Sequence, residues 1–406
     1  MFNYYKSFLF ILSTTATCIV SAQINTSEYT AGTLATKECA AIPGKTMGQK
    51  MESLLFWSQA EKERRFPQMY RIFPSLQVQT GDKVFPLKKG RDIRNLLPAD
   101  YLKKYVTDNH ITGIVVLQNG KVQLEVYGAE SNRQTKWTSF SVAKSVTSML
   151  LGAALKDGSV KSLDDPLSKY IAALQNVDYG KVTVRQLLTM TSGIAWNEDY
   201  ADENSDVASM YRQPCIGKEA HIVSYMKNLP AAHEPGTVWN YSTGETDLLG
   251  ILIEEATGKS LASYLSEKIW KPWGMESSAF WLADECSGGN FGGSGLSATV
   301  RDFARLGTVM LFRDENGHHP FFADEYVQNA VSLLQPTGTG GSGYGYLWWR
   351  NADGSYAAFG IFGQMIYINP KTNVVIAQIA AWPSAGSREL SAKRSEFIKA
   401  VEKALQ

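Results

Sequence analysis

Strand-like segments lie towards both ends of this 406-residue chain, and helical patterns fill its middle. Ile111–Gln118 and Lys121–Tyr127 flank Asn119-Gly120, which supplies the two positive φ values of a type I′ hairpin turn. Strand character returns in residues 344–350, 357–360, 364–369 and 374–382, and a last helix is expected over 388–404. Residues 141–312 are mostly helical by pattern. These patterns predict an α+β fold (an α/β sandwich) whose antiparallel sheet is built from both chain ends, flanked by helices, with a mostly helical insert.

The first residues have the features of an export signal. Lys6 precedes a short apolar stretch, and Val20 and Ala22 are the small residues expected before a cleavage site. The stretch is too short to span a bilayer, which takes about 20 apolar residues. We therefore expect residues 1–22 to be a cleaved signal peptide, and the protein to be periplasmic or secreted with no integral membrane segment after cleavage. The balance of 40 basic and 39 acidic residues argues against a nucleic-acid partner.

Three cysteines remain after removal of the signal, namely Cys39, Cys215 and Cys286. They form no C-x-x-C pair, so neither a zinc knuckle nor a redox motif is predicted. An exported chain can pair two of them. Cys215 and Cys286 both lie in loops that contain Gly or Pro, and we expect the disulfide there.

A serine and a lysine lie three residues apart at the start of an apolar helical run. Ser141 and Lys144 would share one helix face, and the helix N-terminus would stabilise negative charge at the serine. The lysine amine accepts the hydroxyl proton only if desolvation, nearby cations or hydrogen bonds keep it neutral. The same spacing recurs at Ser224 and Lys227, which we interpret as a solvated helix face. Context must therefore distinguish the two pairs.

Two further elements follow downstream. Tyr241 lies in a short loop before a helix, where its hydroxyl can enter a cleft, and a lysine cation nearby would lower its pKa enough for proton relay. Gly360 and Gly363 flank Ile361 in an edge-like strand, where glycines allow close backbone approach and leave N–H groups free for an oxyanion.

In this order and spacing, the elements resemble the serine β-lactamase, penicillin-binding protein and esterase superfamily, in its class C-like branch. The resemblance runs from about residue 99 to the C-terminus and is carried by residues 138–145, 184–193, 235–242 and 295–307. Residues 196–202 and 360–364 are similar to the 6-aminohexanoate-dimer hydrolase group and related esterases. The resemblance implies Ser141 as nucleophile, Lys144 and Tyr241 as proton carriers, and the backbone N–H groups of Ser141 and Ile361 as an oxyanion hole. It also implies substrate contacts at Tyr200 and Gly360.

Two positions depart from the pattern of the antibiotic-cleaving members. Ala358-Phe359-Gly360 replaces Lys-Thr-Gly, so the cation that would hold a β-lactam carboxylate is missing. Thr243 replaces an Asn that would hold a substrate carbonyl. Both changes favour an uncharged acyl group, and hence a small-molecule ester or linear amide substrate.

The sequence therefore predicts three parts: a signal peptide (1–22), an N-terminal extension (23–98) and a β-lactamase-like serine hydrolase domain (99–406). An amphipathic helix interrupted at Pro67 is expected within 51–73. The hydrolase is expected to need no metal and no cofactor. Two alternatives stay open, namely a β-lactamase or D-alanyl carboxypeptidase, and a catalytically silent binding protein of the same fold. Substrate and oligomeric state are left open.

Overall fold

The computed structural model describes residues 47–128, 131–212, 214–337 and 341–406. The expected signal peptide and Cys39 lie outside these ranges. No helix in the described part of the chain is both long and apolar enough to cross a membrane.

Thirteen strands and fourteen α-helices make up the regular structure of the described residues. The strands are β1 Ser75–Val78, β2 Lys88–Lys89, β3 Ile111–Gln118, β4 Lys121–Tyr127, β5 Lys136–Thr138, β6 Ala279–Leu282, β7 Leu296–Thr299, β8 Gln335–Pro336, β9 Gly343–Tyr344, β10 Trp349–Arg350, β11 Tyr356–Gly360, β12 Gln364–Asn369 and β13 Val374–Ala380. The helices are α1 Met47–Leu54, α2 Gln59–Arg65, α3 Met69–Ile72, α4 Tyr101–Asp108, α5 Val142–Lys156, α6 Val184–Leu188, α7 Asp206–Ser209, α8 His221–Met226, α9 Thr243–Thr257, α10 Leu261–Leu265, α11 Lys271–Trp273, α12 Val300–Leu311, α13 Asp324–Ala330 and α14 Arg388–Leu405.

Both ends of the chain contribute to one nine-stranded sheet, as the sequence predicts. Its strand order is β2-β4-β3-β13-β12-β11-β10-β9-β8, and its pairings are antiparallel apart from the short β2–β4 pair. The hairpin of β3 and β4 turns at Asn119 (φ 50°) and Gly120 (φ 70°), which confirms the predicted turn. Because β3 and β13 pair in the centre of the sheet, their residues are almost all buried, and both sequences are nearly continuous apolar runs.

Helices cover both faces of this sheet. Gly307 of α12 lies so close to the sheet that a Cβ there would approach Ile366 at 3.1 Å. The next residue along β12, Tyr367, points the other way, and its hydroxyl reaches Glu402 of α14 at 3.4 Å. Because neighbouring strand residues face opposite sides, α12 and α14 lie on opposite faces of the sheet. The predicted sandwich is therefore present.

Two expectations for strands and helices need correction. The strand expected over 344–350 is split into β9 and β10, because Leu347 adopts a positive φ of 61° and the Gly345 N–H donates to the Trp348 carbonyl (2.9 Å). The helix expected within 51–73 is interrupted at Pro67 as predicted, by a 3₁₀ turn at Phe66–Gln68, but it is also broken after Leu54, and Ser58 caps the next helix. Pro67 lacks the N–H that a continuous helix would need.

A second sheet of four strands, in the order β1-β6-β7-β5, was not predicted. β5 leads directly into the central helix α5, whose residues from Val142 to Ala154 are all buried. β1 joins the N-terminal residues to the same sheet, pairing Ser75 with Leu282. The small sheet thus connects residues 47–78 to the segment that carries Ser141.

Candidate active site

Ser141 lies at the junction between β5 and α5, where it is the N-cap residue of the helix. The preceding residue, Phe140, has φ 44°. A positive φ is uncommon outside glycine and tends to persist at functional sites, where surrounding contacts hold it. Here Ser139 supplies those contacts, because its N–H donates to the Leu296 carbonyl (2.8 Å) and its Oγ accepts from the Leu296 N–H (3.1 Å). The turn that presents Ser141 is therefore fixed to β7.

Lys144 extends back along the helix to Ser141. Its Nζ lies 2.9 Å from Ser141 Oγ, 2.8 Å from Thr243 Oγ1 and 3.0 Å from the Gly293 carbonyl oxygen. The lysine is only 1% exposed. The spacing of three therefore places hydroxyl and amine in direct contact, inside the protein.

Burial lowers the pKa of Lys144 from 10.5 to about 8. The negative charges of Glu198 and Asp247 act in the opposite direction. Asp247 is held by the Tyr211 hydroxyl (2.6 Å) and by the N–H of Gly293 (2.6 Å). Desolvation outweighs the two carboxylates, so a large fraction of Lys144 is neutral at mildly alkaline pH.

Glu198 and Thr243 belong to the site; sequence reasoning did not assign Glu198 there, and it considered Thr243 only as the replacement for an Asn. Thr243 Oγ1 accepts from Lys144 and donates to Glu198, and the Thr243 N–H donates to the same carboxylate at 2.9 Å. Tyr200 Oη donates to Glu198 as well, at 2.6 Å. The signal available in the sequence was the position of Glu198 within residues 196–202, one of the matching segments. The threonine that replaces Asn thus contacts Lys144 directly.

Tyr241 faces Lys144 and Ser141 from the loop before α9. Lys144 Nζ lies 5.1 Å from the centre of its ring, and its hydroxyl interacts with the Ser141 side chain closely enough to affect its pKa. Burial raises the pKa of Tyr241 above its usual value, Glu198 raises it further, and the Ser141 hydrogen bond only partly opposes them. The expectation that a neighbouring lysine cation would lower this pKa is therefore wrong. Trp349 stacks on the tyrosine ring with centroids 5.7 Å apart and fixes its orientation.

The end of β11 comes close to the turn before Ser141. A Cβ at Gly360 would lie 2.5 Å from the Ser139 carbonyl oxygen, so only glycine permits this approach. Ile361 follows immediately, and it lines the same cavity as Ser141. The two amides expected to form an oxyanion hole therefore lie on neighbouring segments.

An aromatic cluster packs under these two segments. Phe66 contacts Phe140 and Phe362, with ring centroids 5.0 and 5.2 Å away. Phe140 precedes Ser141, and Phe362 follows Ile361 with φ 59°. A residue of the N-terminal segment thus packs against the neighbours of both candidate amides.

The second Ser-x-x-Lys pair is in α8 and at its C-terminal end. Ser224 is 5% exposed and donates to Glu219, and Lys227 pairs with the same carboxylate at 2.7 Å. The interpretation as a solvated helix face is wrong, because α8 packs against α9 and buries Ser224. The Glu219 carboxylate binds both Ser224 and Lys227, so this pair lacks the serine–lysine arrangement found at Ser141.

Cys215 and Cys286 form the expected disulfide. Within the described chain, their sulfur atoms and the His221 ring lie close together, and all three residues are of types that can bind a metal ion. His221 Nδ1 also lies 2.8 Å from Asp284. Because disulfide sulfurs are not thiolates, the closed bridge leaves no thiolate to bind a metal ion there.

Comparison with known proteins shows the family to which the chain belongs. The β-lactamase family profile matches residues 99–396. The chain is 26% identical over 390 residues to the 6-aminohexanoate-dimer hydrolase of Paenarthrobacter ureafaciens, covering 90% of this chain and 97% of that protein. A structure from Bacillus anthracis, described as a candidate 6-aminohexanoate-dimer hydrolase, superposes with a TM-score of 0.73 at 25% identity, covering 85% of this chain and 94% of that one.

A penicillin-binding protein from Bacillus halodurans shares the fold, with a TM-score of 0.59 at 17% identity over 74% of this chain and 99% of that one. The family match spans most of the chain and includes Ser141, Lys144 and Tyr241. The protein therefore belongs to the β-lactamase family and is a serine hydrolase of that superfamily.

Proposed function

We propose that this protein is an exported hydrolase that cleaves an ester or a linear amide through a covalent acyl-enzyme on Ser141. One observation carries the proposal: a buried lysine amine lies 2.9 Å from the Ser141 hydroxyl, and Tyr241 lies beside the same amine. A nucleophile next to its base, with a second proton carrier in contact, is the arrangement that acyl transfer requires.

The acid–base roles follow from the opposite pKa shifts. Because the pKa of Lys144 is lowered to about 8, its neutral form is accessible and can take the Ser141 proton during attack. Because the pKa of Tyr241 is raised, the phenol keeps its proton and acts as a donor to the leaving group. Lys144 then passes the Ser141 proton to the Tyr241 phenolate, which restores both groups. Water attacks the acyl-enzyme as Lys144 accepts its proton, and that proton returns to Ser141 Oγ as the acid leaves.

The tetrahedral intermediate needs donors for its oxyanion. We assign this role to the N–H groups of Ser141 and Ile361. Neither donates to a carbonyl among the turns, loops and helix ends that the structure describes. Gly360 supports the assignment, since it lets β11 approach the Ser139 carbonyl closely. Preorganised amides of this kind contribute roughly 3–4 kcal/mol to transition-state stabilisation.

The substrate is assigned from the side chains near Ser141. Residues 358–360 supply no cation for a substrate carboxylate. The Thr243 hydroxyl is bonded to Lys144 and Glu198, so it is not available to a substrate carbonyl. Both observations favour an uncharged acyl group. The similarity to a hydrolase named for a linear amide dimer supports an amide as well as an ester.

Incubation with a fluorophosphonate should give a single adduct on Ser141, located by peptide mass spectrometry. Ser141→Ala should give none, whereas the matched variant Ser224→Ala should label normally because Ser224 is bonded to Glu219. In parallel, rates on a short-chain ester, a linear ω-amino amide dimer and a chromogenic cephalosporin should rank the cephalosporin last.

Other results would favour the alternatives. Slow, stable acylation by penicillin with no faster ester turnover would indicate a penicillin-binding enzyme. Ligand retention by Ser141→Ala, with no wild-type turnover on any ester or amide, would indicate a binding protein.

Export is part of the proposal. The Lys6-to-Ala22 sequence supports it, and so does the Cys215–Cys286 disulfide, since such bonds persist in oxidising compartments. We expect N-terminal sequencing of the protein recovered outside the cytoplasm to begin after Ala22. A mature chain that retains residues 1–22 and stays in the cytoplasm would contradict this.

A further inference from the structure

A cavity opens directly beside Ser141. Its volume is about 60 Å³. Since a water molecule needs at least about 10–15 Å³ by this measure, the cavity has room for a short acyl chain. It is lined mainly by apolar side chains, namely Met51, Leu54, Leu55, Met69, Phe140, Val207, Ala208, Met210, Leu282 and Ile361.

The polar lining groups are few, and the two tyrosines among them are already bonded. The Tyr200 hydroxyl donates to Glu198 and the Tyr211 hydroxyl donates to Asp247, each at 2.6 Å. No charged side chain lines the cavity in the described part of the protein. A charged acyl group would enter this space without a partner and lose its hydration, which is costly.

One wall of the cavity comes from residues before the family match, which starts at residue 99. Met51, Leu54 and Leu55 come from α1 and the residue after it, and Met69 is the first residue of α3. Leu54 is 5% exposed and Met69 is 1% exposed. Their burial shows that these residues pack into the molecule rather than over its surface.

The opposite wall belongs to the hydrolase domain. α1 packs against α7, and Val207 and Ala208 of α7 line the cavity with Met210 just beyond. The acyl chain of a substrate bound at Ser141 would therefore lie between α1 and α7. A change in the length of a side chain on α1 would change the depth of this space directly.

We propose that Met51 and Leu54, together with Met69, form the N-terminal wall of the acyl pocket and set the length of the uncharged acyl chain that the enzyme accepts. This inference rests on the proposed function, because it assumes acylation of Ser141. It assigns to residues 47–78 a role in specificity: the hydrolase domain supplies the reacting groups, and the N-terminal segment closes the pocket that selects among substrates.

The test measures kcat/KM for p-nitrophenyl esters of straight-chain acids from two to twelve carbons. Leu54→Ala deepens the pocket, and it should raise the ratio of eight-carbon to four-carbon turnover by about 10-fold or more, since each methylene in such a pocket changes discrimination by roughly 10–200-fold. Met51→Trp shortens the pocket and should suppress six-carbon and longer esters while acetate turnover persists. Phe56→Ala is the matched control, because Phe56 follows α1 but is 51% exposed.

Thermal unfolding and fluorophosphonate labelling of Ser141 should accompany each variant, so that a loss of folding is not mistaken for a change in specificity. If the folded Leu54→Ala and Met51→Trp proteins keep the wild-type chain-length profile, the pocket assignment is overturned while the proposed function stands. If the wild-type protein turns over no ester of the series and gives no adduct, the proposed function fails and this inference fails with it.

Discussion

Replacing Lys144 with methionine should lower kcat for ester hydrolysis by about 10³-fold or more, within the 10²–10⁴-fold range of general-base catalysis. Methionine has a similar length and can occupy the buried space, but it cannot accept the Ser141 proton. Thermal unfolding should accompany this variant, because removing the amine leaves the Gly293 carbonyl and the Asp247 carboxylate without this partner. Lys227→Met is the matched control, since Lys227 has the same spacing from a serine but pairs with Glu219.

The wild-type pH profile provides a second measurement of the same prediction. The pKa of Lys144 is about 8, and the reactive form is the neutral one. Below that value kcat/KM should therefore fall about tenfold per pH unit, and above it the rate should level off. Lys144→Met should lose this inflection. A Lys144→Met protein with wild-type rates, or a wild-type profile flat from pH 6 to 9, would exclude Lys144 as the base.

Local features of the sequence gave the most reliable predictions. The β3–β4 hairpin follows from Asn119-Gly120, because only a few residues adopt its two positive φ values. The contact between Ser141 and Lys144 follows from helix geometry, in which residues three apart share a face. In both cases a single stretch of chain determines the geometry, so no knowledge of distant contacts is required.

Several features that depend on distant contacts were missed. Glu198 meets Thr243 through a contact across 45 residues, and no local pattern specifies such a pairing. The raised pKa of Tyr241 also has a non-local cause, because burial is a property of the folded molecule. The four-stranded sheet was missed for a different reason: strands such as β6 and β7, with four residues each, are too short to show a period of two.

The position of the N-terminal segment connects fold and chemistry. Phe66 packs against both Phe140 and Phe362, each of which is adjacent to a candidate oxyanion amide and has positive φ. Uncommon backbone conformations persist only where surrounding packing holds them. The segment that lines the acyl pocket through Leu54 therefore also supports the backbone at Ser141 and Ile361.

Tyr241→Phe should lower the rate of amide hydrolysis by about 10²-fold or more, while p-nitrophenyl ester hydrolysis falls much less. The difference arises because an amine leaving group must gain a proton, whereas p-nitrophenolate leaves without one. Tyr241 is the donor in contact with Ser141, and burial keeps its hydroxyl protonated. Phenylalanine preserves the stacking on Trp349, so the loop should keep its conformation.

Tyr344→Phe serves as the control for this experiment. The Tyr344 ring lies 6.2 Å from the Tyr241 ring, and removing the Tyr344 hydroxyl changes the aromatic packing little. The ratio of amide to ester kcat should be measured for both variants and the wild type. Because both substrates require attack by Ser141, a change in this ratio reports protonation of the leaving group alone. An equal loss on both substrates would instead place Tyr241 in the activation of Ser141. Unchanged rates on both substrates would exclude Tyr241 from the mechanism. Lys144 would then both accept the Ser141 proton and donate a proton to the leaving group.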